Sequence, residues 1–126
     1  MTLGLTLDSG ALIAIERGES RVRALLAEAL RRGWDVAVLP EVVAQTWRGG
    51  PRQARLAAAL AAHEVRTPEY DGMTARAVGA LCGSSGHEDV VDVHVVLHAV
   101  AHEHAVVTSD ADDLRRVASE VALISL

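Results

Sequence analysis

Residues 105–119 read AVVTSDADDLRRVAS. Ala105 to Thr108 is a short apolar, β-branched run closed by Ser109-Asp110, so it is expected to form a buried strand. Asp110 then falls at a helix cap, and Asp112 and Asp113 fall in the first turn, where negative charge suits the helix dipole. The helix is expected over Asp110 to Ser119. The same strand, acid, helix order recurs twice. Leu3 to Leu7 ends at Asp8-Ser9-Gly10, and Val36 to Leu39 ends at Pro40-Glu41. Repeated strand–helix units of this kind imply a layered α/β/α domain with a mostly parallel sheet.

The intervening segments fit that plan. Ala11 to Arg17 reads as a helix stopped near Gly18. Ser20 is placed to cap the next helix, whose residues Val22, Leu25, Leu26, Ala29 and Leu30 make one apolar face ending at Gly33. Pro40 suits a first helical turn, and the helix from Glu41 runs to about Arg48, before Gly49-Gly50-Pro51. Another helix covers Arg52 to Ala62, and Glu64 to Arg66 is a short strand. Tyr70 to Leu81 is helical, and Gly83-Ser84-Ser85-Gly86 reads as a flexible loop. Glu88 to Glu103 is valine-rich, which favours a strand, but its length favours a helix. Val121 to Leu126 is the last strand.

In such a sheet the carboxyl ends of the strands share one edge, and ligands bind there. Asp8, Glu41 and Asp110 follow strands, and Asp92 lies near the start of the valine-rich helix, so four acids are expected to meet at that edge. Capping explains each acid singly, but Ser, Thr or Asn would cap as well. Capping does not explain why carboxylates recur at one edge. Converging carboxylates repel unless a cation separates them, and hard oxygen donors suit Mg²⁺ or Mn²⁺. A metal held that way points to chemistry on phosphates.

Composition sets the outer bounds. The chain has 126 residues, half of them apolar, which fits one domain (residues 1–126) with a sizeable core. No apolar run is long enough for a membrane span, and the first residues lack the basic region of a signal peptide, so a cytoplasmic, membrane-free protein is expected. The single cysteine, Cys82, agrees with a reducing compartment. Net charge is −5, from 12 basic and 17 acidic residues, which is not the global signature of a nucleic-acid binder. All 12 basic residues are arginine. Arginine suits bidentate phosphate contacts, although codon bias explains the excess more simply. Phe is absent and aromatics are few, so base stacking is not expected to dominate.

Four segments together resemble the PIN-domain family, specifically toxin ribonucleases of the VapC type. They are Leu7-Asp8-Ser9-Gly10-Ala11-Leu12, Pro40 to Gly50 with its Trp47-Arg48-Gly49-Gly50, Asp89-Val90-Val91-Asp92, and Val106 to Leu114. The resemblance implies the PIN-like three-layer α/β/α sandwich. It makes Asp8, Glu41, Asp92 and Asp110 the acidic quartet that binds Mg²⁺ or Mn²⁺, extended by Asp113 and Asp89. Thr108 matches the hydroxyl residue found before the last acid in many members. The activity implied is endonucleolytic cleavage of RNA, such as tRNA or rRNA. The partners implied are a VapB-type antitoxin and a second copy of the chain in a homodimer. The other class open to this sequence is a PIN-fold RNA- or protein-binding module with little turnover.

Several residues lie outside that pattern. Arg48, Arg52, Arg55, Arg115 and Arg116 are candidates to grip RNA, with a solvated face as the plainer role. His94, His98 and His102 recur every four residues and form a stripe. At ~100° per residue Asp92 lies far around the helix from His94, so the stripe is expected to face away from the acids and to be partly exposed or in an interface. Trp47 and Cys82 are expected in the core.

Overall fold

The computed structural model describes residues 4–126; the expectation for Leu3 falls outside them. Five strands form one sheet, ordered β3-β2-β1-β4-β5 and wholly parallel. They are β1 (Gly4–Leu7), β2 (Asp35–Val38), β3 (Val65–Arg66), β4 (Ala105–Thr108) and β5 (Ala122–Ser125). The helices are α1 (Ser9–Glu16), α2 (Ser20–Arg31), α3 (Pro40–Thr46), α4 (Ala54–Ala61), α5 (Gly72–Ser85), α6 (Val90–His102) and α7 (Ala111–Val117). Helices α1 to α4 pack on one another on one side of the sheet, and α5 to α7 on the other. This is the PIN-like α/β/α sandwich. Among the described residues, no helix is long and apolar enough to cross a membrane.

The central strands read as continuous apolar runs because both faces are covered. Leu5, Val36, Ala37, Val38 and Val106 have no exposed surface. With no Phe, the core is filled by Leu, Val and Ala. Leu12, Val42, Leu56, Val93, Val96 and Leu114 close it from the helices.

Three local expectations needed correction. The glycine-rich Gly83–Gly86 stretch is not a loop. Helix α5 continues to Ser85, and Gly86 alone ends it, in the left-handed region at φ 72°, which glycine adopts freely. Ser20 does not cap α2. Glu19 holds the cap position, without a side-chain bond, and Ser20 is the first helical residue. The helix expected over Arg52 to Ala62 is split, with a 3-10 turn at Pro51–Gln53 before α4. There the buried Gln53 amide ties the turn together. It accepts from the backbone N–H groups of Arg48 and Gly49 and donates to Glu16 and the Thr46 carbonyl.

Candidate acidic site at the carboxyl edge of the sheet

Each acid arrives at the edge through a different element. Asp8 follows β1 and is the N-cap of α1. Its Oδ1 accepts from the Ala11 N–H at 3.0 Å. Asp110 follows β4, and its own N–H donates to the Thr108 hydroxyl at 2.8 Å. Asp92 stands in the first turn of α6, whose N-cap is Asp89. Glu41 stands in the first turn of α3 after Pro40. Asp113 lies in the first turn of α7.

Gly10 explains how two of these meet. A Cβ there would lie 3.0 Å from the Ser109 Cβ and closer still to its hydroxyl. The first turn of α1 therefore presses against the residue preceding Asp110. Only glycine allows that approach, which joins the turn after Asp8 to the residue before Asp110.

The electrostatics record the gathering. Burial raises the Asp8 carboxyl above its ordinary range, against the Thr108 hydroxyl and the N–H groups of Ala11 and Gly10, which lower it. Loss of water raises Asp110, and so do Asp113, Asp8 and Asp112. Asp92 is raised by burial and by the charges of Asp89 and Asp110, while His87 lowers it. Asp8, Asp92 and Asp110 thus share one negatively charged locus, with Asp113 at its border.

The gathering is not yet a cage. Among the described residues, no three His, Cys, Asp or Glu side chains stand close enough to hold an ion as placed. Several of these carboxylates have local partners instead. Asp92 meets His87 Nε2 at 3.4 Å, and Arg116 meets Asp113 at 3.1 Å. Asp89 spends its Oδ1 on the N–H groups of Val91 and Asp92, so its role as placed is that of a cap. Glu41 is turned to His94, with Oε2 at 2.5 Å from Nδ1, while its buried Oε1 has no partner.

The histidine stripe is where sequence reasoning failed most. Only His94 turns toward an acid, and the stripe is buried at His94 and His98 but exposed at His102. His94 is 3% exposed and His98 7%. Asp92 and His94 stand apart around α6, but Glu41 of α3 reaches His94. Further along α6, His98 Nδ1 lies 3.2 Å from the Thr6 hydroxyl, which also meets His104 Nδ1 at 3.0 Å. His104 Nε2 reaches Asp35, and Asp35 takes a two-pronged contact from Arg66. This polar chain lies toward the amino end of the sheet, opposite the acids. Other expectations shift as well: Trp47 is 40% exposed and Cys82 half-buried. Arg115 and Arg116 pair with Asp112 and Asp113, and Arg48 donates to the carbonyls of Ala44 and Trp47.

No family profile matches the chain, and no curated protein matches it. Solved structures do. The chain is similar to one in VapBC2 from Rickettsia felis bound to a DNA fragment from their promoter, with TM-score 0.70 at 17% identity. The alignment covers 96% of this chain and 97% of that one. The fold is shared. FitAB bound to the IR36 DNA fragment is similar at TM-score 0.65 and 18% identity, covering 96% and 94% of the two chains. FitAcB from Neisseria gonorrhoeae follows at TM-score 0.59 and 17% identity, with 96% of each chain covered.

Proposed function

We propose that this chain is a Mg²⁺- or Mn²⁺-dependent endoribonuclease, the toxin half of a VapC-type toxin–antitoxin pair. The observation that carries the reading is the shared electrostatics of Asp8, Asp92 and Asp110 at the carboxyl edge. Asp8 raises Asp110 and Asp110 raises Asp92, and carboxylates so gathered repel unless a cation joins them. The donor set is all carboxylate oxygen, which fits a hard divalent ion, and the unpartnered Glu41 Oε1 is one more free acceptor. The likeness in fold to VapBC2 and FitAB supports the same reading.

Asp8, Asp92 and Asp110 would hold the metal, with Glu41 completing the set and Asp113 orienting water. Such an ion supplies a water of lowered pKa and positive charge beside a phosphate. The chain's own work is positional. Thr108 holds Asp8 and Asp110 in register, and Gly10 lets their loops touch. A partner would seat in a groove between α2 and α4 of about 750 Å³. Leu26, Leu30, Ala58 and Ala59 make it apolar, and Arg23 and Arg55 line it. That chemistry suits an antitoxin segment with apolar and acidic side chains.

One observation favours the other class, a PIN-fold binding module: the acids do not close around an ion as placed. One experiment separates the two. The purified chain, free of partner, is incubated with tRNAs and rRNA fragments in Mn²⁺, beside Asp8→Asn protein and an EDTA lane. Discrete cuts confined to the wild-type metal lane are expected. RNA shifted on a native gel but left uncut would establish the binding module instead.

A further inference from the structure

We infer that His94 is a positioning residue for the acidic site, acting through Glu41. The inference rests on the metal-site reading above and names a residue that the acidic motifs do not contain.

Three observations converge on it. His94 Nδ1 stands 2.5 Å from Glu41 Oε2, and the side chains are 4% and 17% exposed. The contact is therefore shielded from water, which would otherwise compete for both groups. His94 is itself fixed. It sits two residues beyond Asp92 on α6, and the Tyr70 ring covers it at 4.4 Å between centroids. The other Glu41 oxygen, Oε1, is buried and meets no donor. A buried acceptor left unpaired is costly, so the pose needs a compensating purpose. One oxygen tied to a rigid imidazole and the other left free is the arrangement of a carboxylate held ready for a cation or its water. Groups that hydrogen-bond metal-ligating carboxylates orient them, and their loss typically costs 10–100-fold in metal affinity or activity.

The geometry also explains why a glutamate serves here. Glu41 follows Pro40 at the start of α3, on the flank away from Asp110. Its longer side chain has more rotamers to lose than an aspartate's. His94 removes that freedom, and because His94 and Asp92 share α6, it ties the Glu41 carboxylate to the helix that carries Asp92.

The test measures Mn²⁺ affinity from the EPR signal of free Mn²⁺, in wild type, His94→Leu, His94→Asn and His94→Gln, with RNA cleavage as a second readout. Asn places an N–H near the Nδ1 position, Gln displaces it by one methylene, and Leu removes it. Expected are a roughly 10-fold or greater loss of affinity for Leu and Gln, and a value within about 3-fold of wild type for Asn. In a Glu41→Gln background, His94→Leu should change affinity no further, since the effect passes through Glu41. A folded Leu variant that binds Mn²⁺ like wild type overturns the inference. Should Leu fail to fold, wild-type affinity in the Gln variant overturns it equally. Wild-type protein that binds no Mn²⁺ overturns the metal site itself, a separate and recognisable failure.

Discussion

Lowering the pH from 7.5 to 5 should destabilise this protein through His98, and the size follows from its surroundings. Burial, then the nearby His102, His104, Arg66 and His94, lowers the His98 imidazole from 6.5 to about 3. The folded state therefore holds it neutral, while the unfolded chain protonates it below 6.5. Stability from this group is complete above pH 6.5 and is lost as pH falls from there toward 3. At pH 5 the unfolded form is favoured by roughly 1.5 pH units of protonation, about 2 kcal/mol. For a domain of this size that corresponds to roughly 6–10 °C in Tm. His104 is lowered too, chiefly by burial, and adds in the same direction. Asp8, Asp92 and Asp110 act oppositely. Their folded values are raised, so the strain they impose at neutral pH is relieved as pH falls through their range. The His98→Leu variant isolates the term, since Thr6 keeps its bond to His104. Melting curves by circular dichroism in EDTA, at pH 5 and 7.5, should show a Tm drop about 6–10 °C smaller in the variant than in wild type. Equal drops in the two proteins would refute the argument that His98 is buried neutral.

Three further outcomes are expected. Asp8→Asn should abolish RNA cleavage while leaving Tm in EDTA unchanged or higher, because Asn keeps the α1 cap and removes a repelling charge; a cleaving variant, checked on the same gels, would contradict the assignment. Gly10→Ala should force the Ser109 loop away from α1, costing about 1–3 kcal/mol by denaturant unfolding and weakening Mn²⁺ binding. In α5, Cβ atoms at Gly79 and Gly83 would meet nothing within 4 Å, so alanine at each should add about 0.5–1 kcal/mol, read as a higher urea midpoint.

Strands β1 and β4 were legible because they are short, continuous runs closed by Asp8 and by Ser109-Asp110. The run Ala105 to Thr108 maps onto β4 without change. Asp8 and Asp110 were legible as edge residues because helix starts after parallel strands are forced to one edge. What failed needed information from distant segments. The Gly83–Gly86 stretch has turn-like composition, yet α5 packs on α6 through Val78, Leu81 and Cys82, and that contact outweighs the glycines. The histidines looked peripheral because angular spacing describes one helix and says nothing of its neighbours. Only the fold places Thr6 against His98 and Glu41 against His94. A signal was present: histidines inside a valine-rich helix imply interior polar partners, since buried polar groups are hydrogen-bonded.

Helix α5 has a consequence for the timing of motion. Of its 14 residues only Val78 is fully buried, and it carries interior glycines. Its backbone amides should exchange with deuterium well ahead of those in β1 and β4, through local opening rather than global unfolding. Because α5 and the Tyr70 segment before it lie over α6, each such opening uncovers the outer side of His94. The slow clock of this protein is the sheet, and the fast one runs next to its acids.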